Sequence, residues 1–430
     1  MTRDHHGLEM TGASAAAADL YQAARERFHC YAGDSLSPLK AALSDSPGFV
    51  MAHALKAWMT LVAANTEVAA MGLQALGTAR GLPMNAREAG HVAALDRLVA
   101  GEVQAAARIM TEVSRQHPHD VLALQVGQTL DFLLGDAHGL HDRIAAALPA
   151  WSPDRPEWHA VQGLLAFGLE ETGRYDEAEA AGRRCVALEP TNNWGQHAVA
   201  HVMVMQGRHA DGVRWMRHEN TAWQPQAQLG VHNWWHTALF HLGLGETDAA
   251  LELYDGPLYG EGSTFAFDMV DAAALLWRLH LLGVDSGGRW EALADNFARE
   301  PRGQSAFVDV HAMMAFVGAG RDAEAAALLD AQSAALAGTG DNAGFVREAG
   351  LPACEAVRAF GDGDYARAAR LLGDTRDRLH RFGGSHAQRD VLDLTLIAAA
   401  RRSGDSRLET MLLDERAGTI PLPGHARTVM

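Results

Sequence analysis

One short pattern recurs along this chain: a glycine is followed five residues later by alanine or glycine. The pattern occurs at Gly101/Ala106, Gly173/Ala178, Gly207/Gly212, Gly245/Ala250, Gly320/Ala325 and Gly363/Ala368. Around it, apolar residues recur at the three- and four-residue intervals of a helix, and strand-like alternation is nearly absent. The block from Val161 to Pro190 shows one full unit: a helix, a turn at Gly173, a second helix and a terminating proline. The pattern therefore predicts helix pairs in which the small residue lies where the two helices cross.

The spacing of the turn glycines indicates which kind of repeat this is. Gly173 and Gly207 are 34 residues apart, and Gly207 and Gly245 are 38 residues apart. A period of 34 residues is that of the tetratricopeptide repeat. We therefore predict an all-α, tetratricopeptide-like, right-handed α-solenoid of antiparallel helix pairs. We expect residues 1–12 to be disordered, residues 13–415 to form one continuous solenoid, and residues 416–430 to form a C-terminal tail.

Composition narrows the classes of function. The 430 residues include 36 basic and 53 acidic side chains, and the formal net charge of −17 would repel phosphate backbones and anionic membranes. We therefore expect neither a nucleic acid nor a membrane as partner. The sequence lacks a signal-peptide core and any apolar run long enough to span a membrane, which favours a cytoplasmic location. The three cysteines are odd in number and widely spaced, so they predict neither a disulfide framework nor a CxxC zinc motif. The oligomeric state stays open, and a homodimer is one of the states that the sequence allows.

Seven short segments resemble segments of the tetratricopeptide repeat protein 38 family, in the same order and at similar spacing. They are residues 49–53 (FVMAH), 87–91 (REAGH), 197–201 (HAVAH), 232–236 (HNWWH), 268–271 (DMVD), 350–352 (GLP) and 383–390 (GGSHAQRD). The resemblance extends from about residue 14 to residue 415, and its last segment is the most distinctive. It implies an α-solenoid fold. It leaves the activity open, with a hydroxylase role among those that the resemblance suggests.

Several histidines fall at positions that line the concave surface of a tetratricopeptide repeat. When the turn glycine is counted as position 15, His91 and His197 fall at position 5, His201 at position 9 and His232 at position 2. His197/His201 and His232/His236 are also pairs four residues apart, a spacing that places two imidazoles on one face of a helix. First helices of consecutive repeats pack about 10 Å apart. We therefore predict that these four imidazoles converge as ligands of a divalent transition metal: zinc, iron or manganese.

Other side chains supply groups for chemistry beside such an ion. As catalytic residues we predict Glu219, Asp271 and His311. As substrate-binding residues we predict His53, His91, Trp194, Trp234, Trp235, Asp268, Arg389 and Asp390. Aromatic walls beside a few polar groups are common in small-molecule sites. The segment from Gly383 to Asp390 also has a structural explanation, because Ser385 and Gln388 have the spacing of a helix capping box.

Two functions remain open from the sequence. The first is a small-molecule enzyme, a metal-dependent hydrolase or an oxygenase or hydroxylase, with a histidine-lined pocket inside the solenoid. The second is a tetratricopeptide-type scaffold that binds other proteins and has no catalytic activity. Grooves that clamp an acidic peptide terminus use lysine, arginine and asparagine, whereas the inward positions of this chain carry histidine and tryptophan. We therefore expect a small-molecule substrate rather than a peptide.

Overall fold

The computed structural model describes residues 2–62, 66–218 and 229–420. Apart from one pair of two-residue strands, the regular structure in these ranges is helical, and successive helices are joined by short turns. The prediction of an all-α, tetratricopeptide-like fold built from helix pairs is confirmed. Within these ranges no helix has the length and apolar character needed to cross a membrane.

The chain divides into two compact units, with the boundary inside one helix at Val199/Ala200. The described residues of the first unit are 2–62, 66–199 and 229–230, and those of the second are 200–218 and 231–420. The sequence predicts one continuous solenoid over residues 13–415. A division of this kind depends on contacts between helices that are distant in sequence, which a repeat pattern does not encode.

The first unit contains two strands and a series of helices. They are β1 (Thr2–Arg3), β2 (Glu9–Met10), α1 (Ala15–Cys30), α2 (Leu36–Asp45), α3 (Val50–Leu61), α4 (Thr66–Arg80), α5 (Ala86–Val99), α6 (Val103–Gln116), α7 (Val121–Leu133), α8 (Ala137–Ala147), a 3-10 turn (Leu148–Ala150), α9 (Trp158–Glu171), α10 (Tyr175–Leu188) and α11 (Asn193–Met205), which contains the boundary.

The second unit continues from the later half of α11. Its elements are α12 (His209–His218), α13 (Gly230–Leu244), α14 (Thr247–Leu253), a π-helical segment (Tyr254–Leu258), α15 (Ala266–Leu281), α16 (Arg289–Arg299), α17 (Ala306–Gly318), α18 (Asp322–Ala335), α19 (Asp341–Phe345), a second π-helical segment (Val346–Gly350), α20 (Leu351–Gly361), α21 (Tyr365–Thr375), a 3-10 segment (Arg376–Phe382), α22 (His386–Ser403) and α23 (Ser406–Ala417).

The repeat pattern has the structural meaning that the sequence predicts. All six turn glycines adopt the left-handed conformation, with φ between 66° and 79°. That conformation is strained for residues with a side chain, so glycine is the residue suited to these helix ends. The five alanines that follow at the fifth position are completely buried, and Gly212, at the sixth such position, is also buried. The small residues therefore lie at close helix crossings.

Residues 2–12 have defined structure, although the sequence predicts disorder over residues 1–12. Strands β1 and β2 pair antiparallel, and Met10 is buried. The backbone N–H of Thr11 donates to Glu88 at 2.8 Å, and Arg87 donates to the backbone oxygen of Glu9 at 2.7 Å. These anchors come from a helix about 80 residues away, so the composition of the segment itself does not reveal them. At the other end α23 reaches Ala417, and residues 421–430 of the expected tail lie outside the described residues.

Long-range contacts between helices occur in each unit. In the first unit α1 contacts α7, where the side-chain amide of Gln125 donates to the backbone oxygen of Phe28 at 3.2 Å. In the second unit α15 contacts α22, where the indole N–H of Trp277 donates to the Thr395 hydroxyl at 2.9 Å. Trp277 and Thr395 are both completely buried. In each unit, helices that are far apart in sequence therefore pack directly against each other.

Candidate metal centre

Three of the predicted metal ligands lie together in the second unit. His201 comes from α11, and His232 and His236 come from α13. The ring centroids of His201 and His236 are 4.5 Å apart, and those of His232 and His236 are 4.8 Å apart. Each residue offers a ring nitrogen, and these nitrogens lie within 4.8 Å of one another. Nitrogen ligands of a tetrahedral zinc ion are about 3.4 Å apart, so ring movements of roughly 1 Å would bring the three onto one ion.

The helical spacing places these rings as the sequence predicts. His232 and His236 are one turn apart on α13, which puts both on one face. His201 and His236 are completely buried, whereas the side chain of His232 keeps 15% of its surface exposed. His197, the fourth predicted ligand, lies one turn before His201 on α11. Within the first unit its ring packs against Trp194, at 4.9 Å between ring centroids.

Asp271, on α15, contacts one member of the cluster directly. Its Oδ2 lies 2.8 Å from Nδ1 of His232, and its side chain is 3% exposed. Since a carboxylate can only accept here, the Nδ1–H of His232 donates. The other ring nitrogen, Nε2, then carries the lone pair that a metal ion would bind. The sequence predicts Asp271 as a catalytic residue, and the structure places it behind a candidate ligand.

Trp235 forms an aromatic wall beside the histidines. Its completely buried ring stacks on His232, with centroids 5.1 Å apart and planes inclined by 17°. The guanidinium of Arg278 lies over the same indole, 5.4 Å from its centroid. Burial lowers the pKa of Arg278 to about 10. The other predicted tryptophan of this helix, Trp234, is half-buried.

Asp268 lies one turn before Asp271 on α15 and has its own partner. The Ser263 hydroxyl donates to Oδ2 of Asp268 at 2.7 Å. Burial raises the pKa of Asp268 to about 6, and the neighbouring charge of Asp271 adds to the rise, while the Ser263 hydrogen bond opposes it. This predicted substrate-binding carboxyl group therefore changes protonation near neutral pH.

His311, predicted as a catalytic residue, lies within the core on α17. Its Nδ1–H donates to the backbone oxygen of Phe307 at 2.8 Å. Burial lowers the pKa of His311 to about 4, so the ring is neutral at physiological pH. Its Nε2 is buried and has no hydrogen-bond partner in the described part of the chain. The side chain is a neutral imidazole held by its own helix.

Two of the predicted substrate-binding histidines have protein partners in the first unit. The His53 ring donates to the backbone oxygen of Pro47 at 2.8 Å. His91 is completely buried and accepts from the Trp58 indole at 3.1 Å, while its Nε2 lies 3.1 Å from Asp120. These contacts are sufficient to explain why histidine occupies both positions.

The remaining predicted residues also contact protein groups, where the structure describes them. Arg389 donates to the backbone oxygens of Gly383 and Gly384 and so closes the turn before α22. Asp390 forms an ion pair with Arg416, at 2.9 Å between Oδ2 and the guanidinium. In the first unit the Trp194 ring stacks on Tyr31 with centroids 5.1 Å apart. The capping box of α22, between Ser385 and Gln388, is present as predicted. Glu219, predicted as a catalytic base, lies outside the described residues.

A buried charged cluster in the first unit is absent from the sequence predictions. Glu157 accepts from Arg25 at 3.0 Å, from His6 at 2.8 Å and from Gln22 at 3.0 Å. Arg25 also donates to Asp4 at 3.0 Å. Glu157 adopts a left-handed conformation with φ of 60°, which is uncommon for a residue with a side chain. The contacts of its carboxylate hold it in this conformation.

One signal in the sequence points to this cluster. Arg25 falls on the apolar face of α1, four residues after Tyr21 and three before Phe28, and both of these are buried. A charged residue within an apolar stripe requires a buried partner. Glu157 and two neighbouring histidines, His5 and His6, also have a spacing that suits a metal ion. The guanidinium of Arg25 already supplies positive charge beside that carboxylate, which favours a structural role.

Comparisons with known proteins add little to this geometry. No protein-family model matches the sequence. Among solved structures, the chain is similar to the crystal structure of the P58(IPK) TPR domain, at 13% identity, over 91% of this chain and 99% of that chain. The TM-score of that match is 0.19, too low to support an argument. The helix pairs and their turns in the described residues therefore carry the assignment of a tetratricopeptide-like fold.

Proposed function

We propose that this protein is a small-molecule enzyme that holds a divalent transition-metal ion on His201, His232 and His236. The observation that carries the proposal is the approach of three ring nitrogens to within 4.8 Å of one another. Three histidine ligands leave a fourth position open for water or substrate, as in catalytic rather than structural zinc sites. An ion held by these three histidines would lower the pKa of a bound water and so supply a nucleophile. Zinc at this centre would favour hydrolysis, and iron would favour oxygenation or hydroxylation.

The grouping of several imidazoles in the second unit supports a metal rather than a purely structural role. His91 lies between an indole N–H and a carboxylate, so protein groups contact both of its ring nitrogens. In the second unit, by comparison, His201 and His236 present their rings to each other at 4.5 Å. Imidazoles gathered in this way form a ligand set that suits zinc, iron or manganese.

Metal binding by the full-length protein tests the proposal. We expect purified protein to carry zinc, iron or manganese, or to bind one of them when it is added. Metal at 100 times its dissociation constant stabilises a protein by about 2.7 kcal/mol, so the melting temperature should rise. The double variant His201→Ala/His236→Ala should lose both the metal and the rise. The single variant His197→Ala tests whether the fourth predicted histidine also contributes.

His241 offers a matched control on the same helix. Its Nδ1 lies 2.6 Å from the carboxylate of Glu246. His241 is not one of the histidines whose ring nitrogens approach those of His232 and His236. His241→Asn should therefore retain the metal affinity of the unchanged protein. If the unchanged protein neither carries these metals nor melts at a higher temperature in their presence, the metal centre does not exist.

A protein-interaction scaffold is the second candidate, and the helix-pair fold favours it. Tetratricopeptide-like arrays commonly present surfaces to other proteins. The net charge of −17 would favour a basic partner. Two results together would support the scaffold. The unchanged protein would bind a basic peptide but no metal, and the His201→Ala/His236→Ala variant would still bind the peptide. The resemblance to the tetratricopeptide repeat protein 38 family is compatible with both candidates.

A further inference from the structure

We infer that Asp271 is the positioning residue of the proposed metal centre: it fixes His232 in the orientation and tautomer that bind the ion. The inference rests on the proposed function, because it assigns a task to a residue of that same site. It also changes the role that the sequence predicts, from a catalytic residue to a group that acts through a ligand. The observation is the 2.8 Å hydrogen bond between Nδ1 of His232 and Oδ2 of Asp271.

The hydrogen bond from His232 to Asp271 fixes the tautomer of the imidazole. A neutral imidazole has one N–H and one nitrogen lone pair, and a metal ion binds the lone pair. Donation of Nδ1–H to Asp271 leaves the lone pair on Nε2. A carboxylate bound to the outer nitrogen also makes the ring a stronger ligand. Asp271 therefore selects the metal-binding form of His232 before any ion arrives.

Two contacts fix the orientation of the His232 ring. His232 is held at its Nδ1 by Asp271 and along its face by Trp235, whose plane is inclined by only 17° to the imidazole. The two contacts act in different directions, one in the plane of the ring and one perpendicular to it. His232 is also the most exposed of the three candidate ligands, so it has the greatest need of such support.

The buried carboxylate of Asp271 also favours a positive ion at this centre. Its carboxylate is 3% exposed, and Oδ1 has no hydrogen-bond partner among the residues that the structure describes. A buried carboxylate with one neutral donor is costly unless a positive charge lies near it. The Arg278 guanidinium already interacts electrostatically with Asp271. An ion on Nε2 of His232 would add a second positive charge, acting through the ring. The neighbouring Asp268 accepts from Ser263, whereas Asp271 accepts from His232 of this centre.

Cobalt and zinc binding by the full-length chain tests the role of Asp271. Cobalt(II) absorption reports the geometry of the ligands, and competition with zinc gives the affinity. We expect Asp271→Ala to weaken zinc binding by about 10- to 100-fold and to change the cobalt spectrum. Asp271→Asn should recover a substantial part of this loss, because its side-chain oxygen still accepts Nδ1–H. Asp309→Asn, which changes another buried carboxylate of the same unit, should keep the affinity of the unchanged protein.

A measurement on metal-free protein separates positioning from general stability. Nitrogen-15 NMR of labelled histidine identifies which nitrogen of His232 carries the proton. We expect a protonated Nδ1 in the unchanged protein and in Asp271→Asn, and a mixture of tautomers in Asp271→Ala. Tight binding with an unchanged cobalt spectrum in Asp271→Ala would overturn the inference and leave the proposed metal site standing. A failure of the unchanged protein to bind either metal would overturn both.

Discussion

Asp309 shows at the scale of one residue how burial can act against stability. Its side chain lies on α17, where Gln332 donates to Oδ2 at 2.7 Å and the backbone N–H of Gly303 donates to the same oxygen at 3.0 Å. Burial raises the pKa of Asp309 to about 6 despite these two donors. The folded protein therefore binds a proton at this carboxyl group more tightly than the unfolded chain does. The contribution of Asp309 to stability therefore falls as the pH rises from the unfolded pKa of 3.8 to about 6, and this loss persists above that pH.

We expect Asp309→Asn to stabilise the protein at about pH 7.5 by up to about 3 kcal/mol, because the shift in pKa is roughly two units. The amide oxygen can accept both existing hydrogen bonds without carrying a charge. The gain should shrink to nearly zero at about pH 3, which lies below both pKa values, so that the carboxyl group is largely protonated in both states. Urea unfolding of both proteins at the two pH values measures this, and an equal difference at both would contradict the pKa argument.

At the scale of the element, close helix crossings account for the small residue of the repeat. Gly212 lies on α12 against Phe240 of α13, and Phe240 is completely buried. A Cβ atom on Gly212 would overlap the aromatic ring. Gly373, on α21, has open space where a Cβ would lie. The two glycines therefore differ in packing although both are helical.

We predict opposite effects of alanine at these two glycines. Gly212→Ala should destabilise the protein by about 1–3 kcal/mol, because the ring cannot move without disturbing the core. Gly373→Ala should stabilise it by up to about 1 kcal/mol, because alanine is the better helix former and nothing obstructs it. Thermal and urea unfolding of both variants test the pair. A Gly212→Ala variant as stable as the unchanged protein would show that α12 and α13 are not in close contact.

At the scale of the whole molecule, each unit is stabilised by contacts that close its own series of helices. In the first unit the N-terminal segment takes part, because it inserts Asp4 and His6 beside Arg25 and Glu157. The side chains of all four are almost completely buried. A buried charge that loses its partners is strongly destabilising. The terminal segment is therefore a structural part of this unit.

Removal of residues 2–8 should lower the free energy of unfolding by about 2–5 kcal/mol, since it takes away two partners of a buried ion pair. Arg3→Ala provides a control in the same segment. Its pair with Glu9 is largely exposed, at 57% and 36% of side-chain surface, so the expected loss is below about 0.5 kcal/mol. Urea unfolding compares the two. A truncated chain as stable as the full chain would indicate that the segment is dispensable.

The sequence alone determined the local architecture. Left-handed turn glycines, small residues at crossings and caps such as Ser385 depend on residues within one or two turns, so their signals lie close together in the chain. The four-residue spacing of His232 and His236 was readable for the same reason. The repeat pattern also predicted that His201, one repeat earlier, lies near these two histidines, because first helices of neighbouring repeats pack side by side.

Only the tertiary structure decided which of the predicted site residues meet. The sequence predicts inward positions for both His91 and His201, yet His91 contacts Trp58 and Asp120 while His201 lies against His236. Asp271 and His232 are 39 residues apart in the sequence, and Glu157 and Arg25 are 132 residues apart. The division at α11 and the closure of each unit depend on contacts of the same long range. Such contacts depend on the angles and distances of several successive helix crossings taken together. A local sequence pattern does not specify that combination.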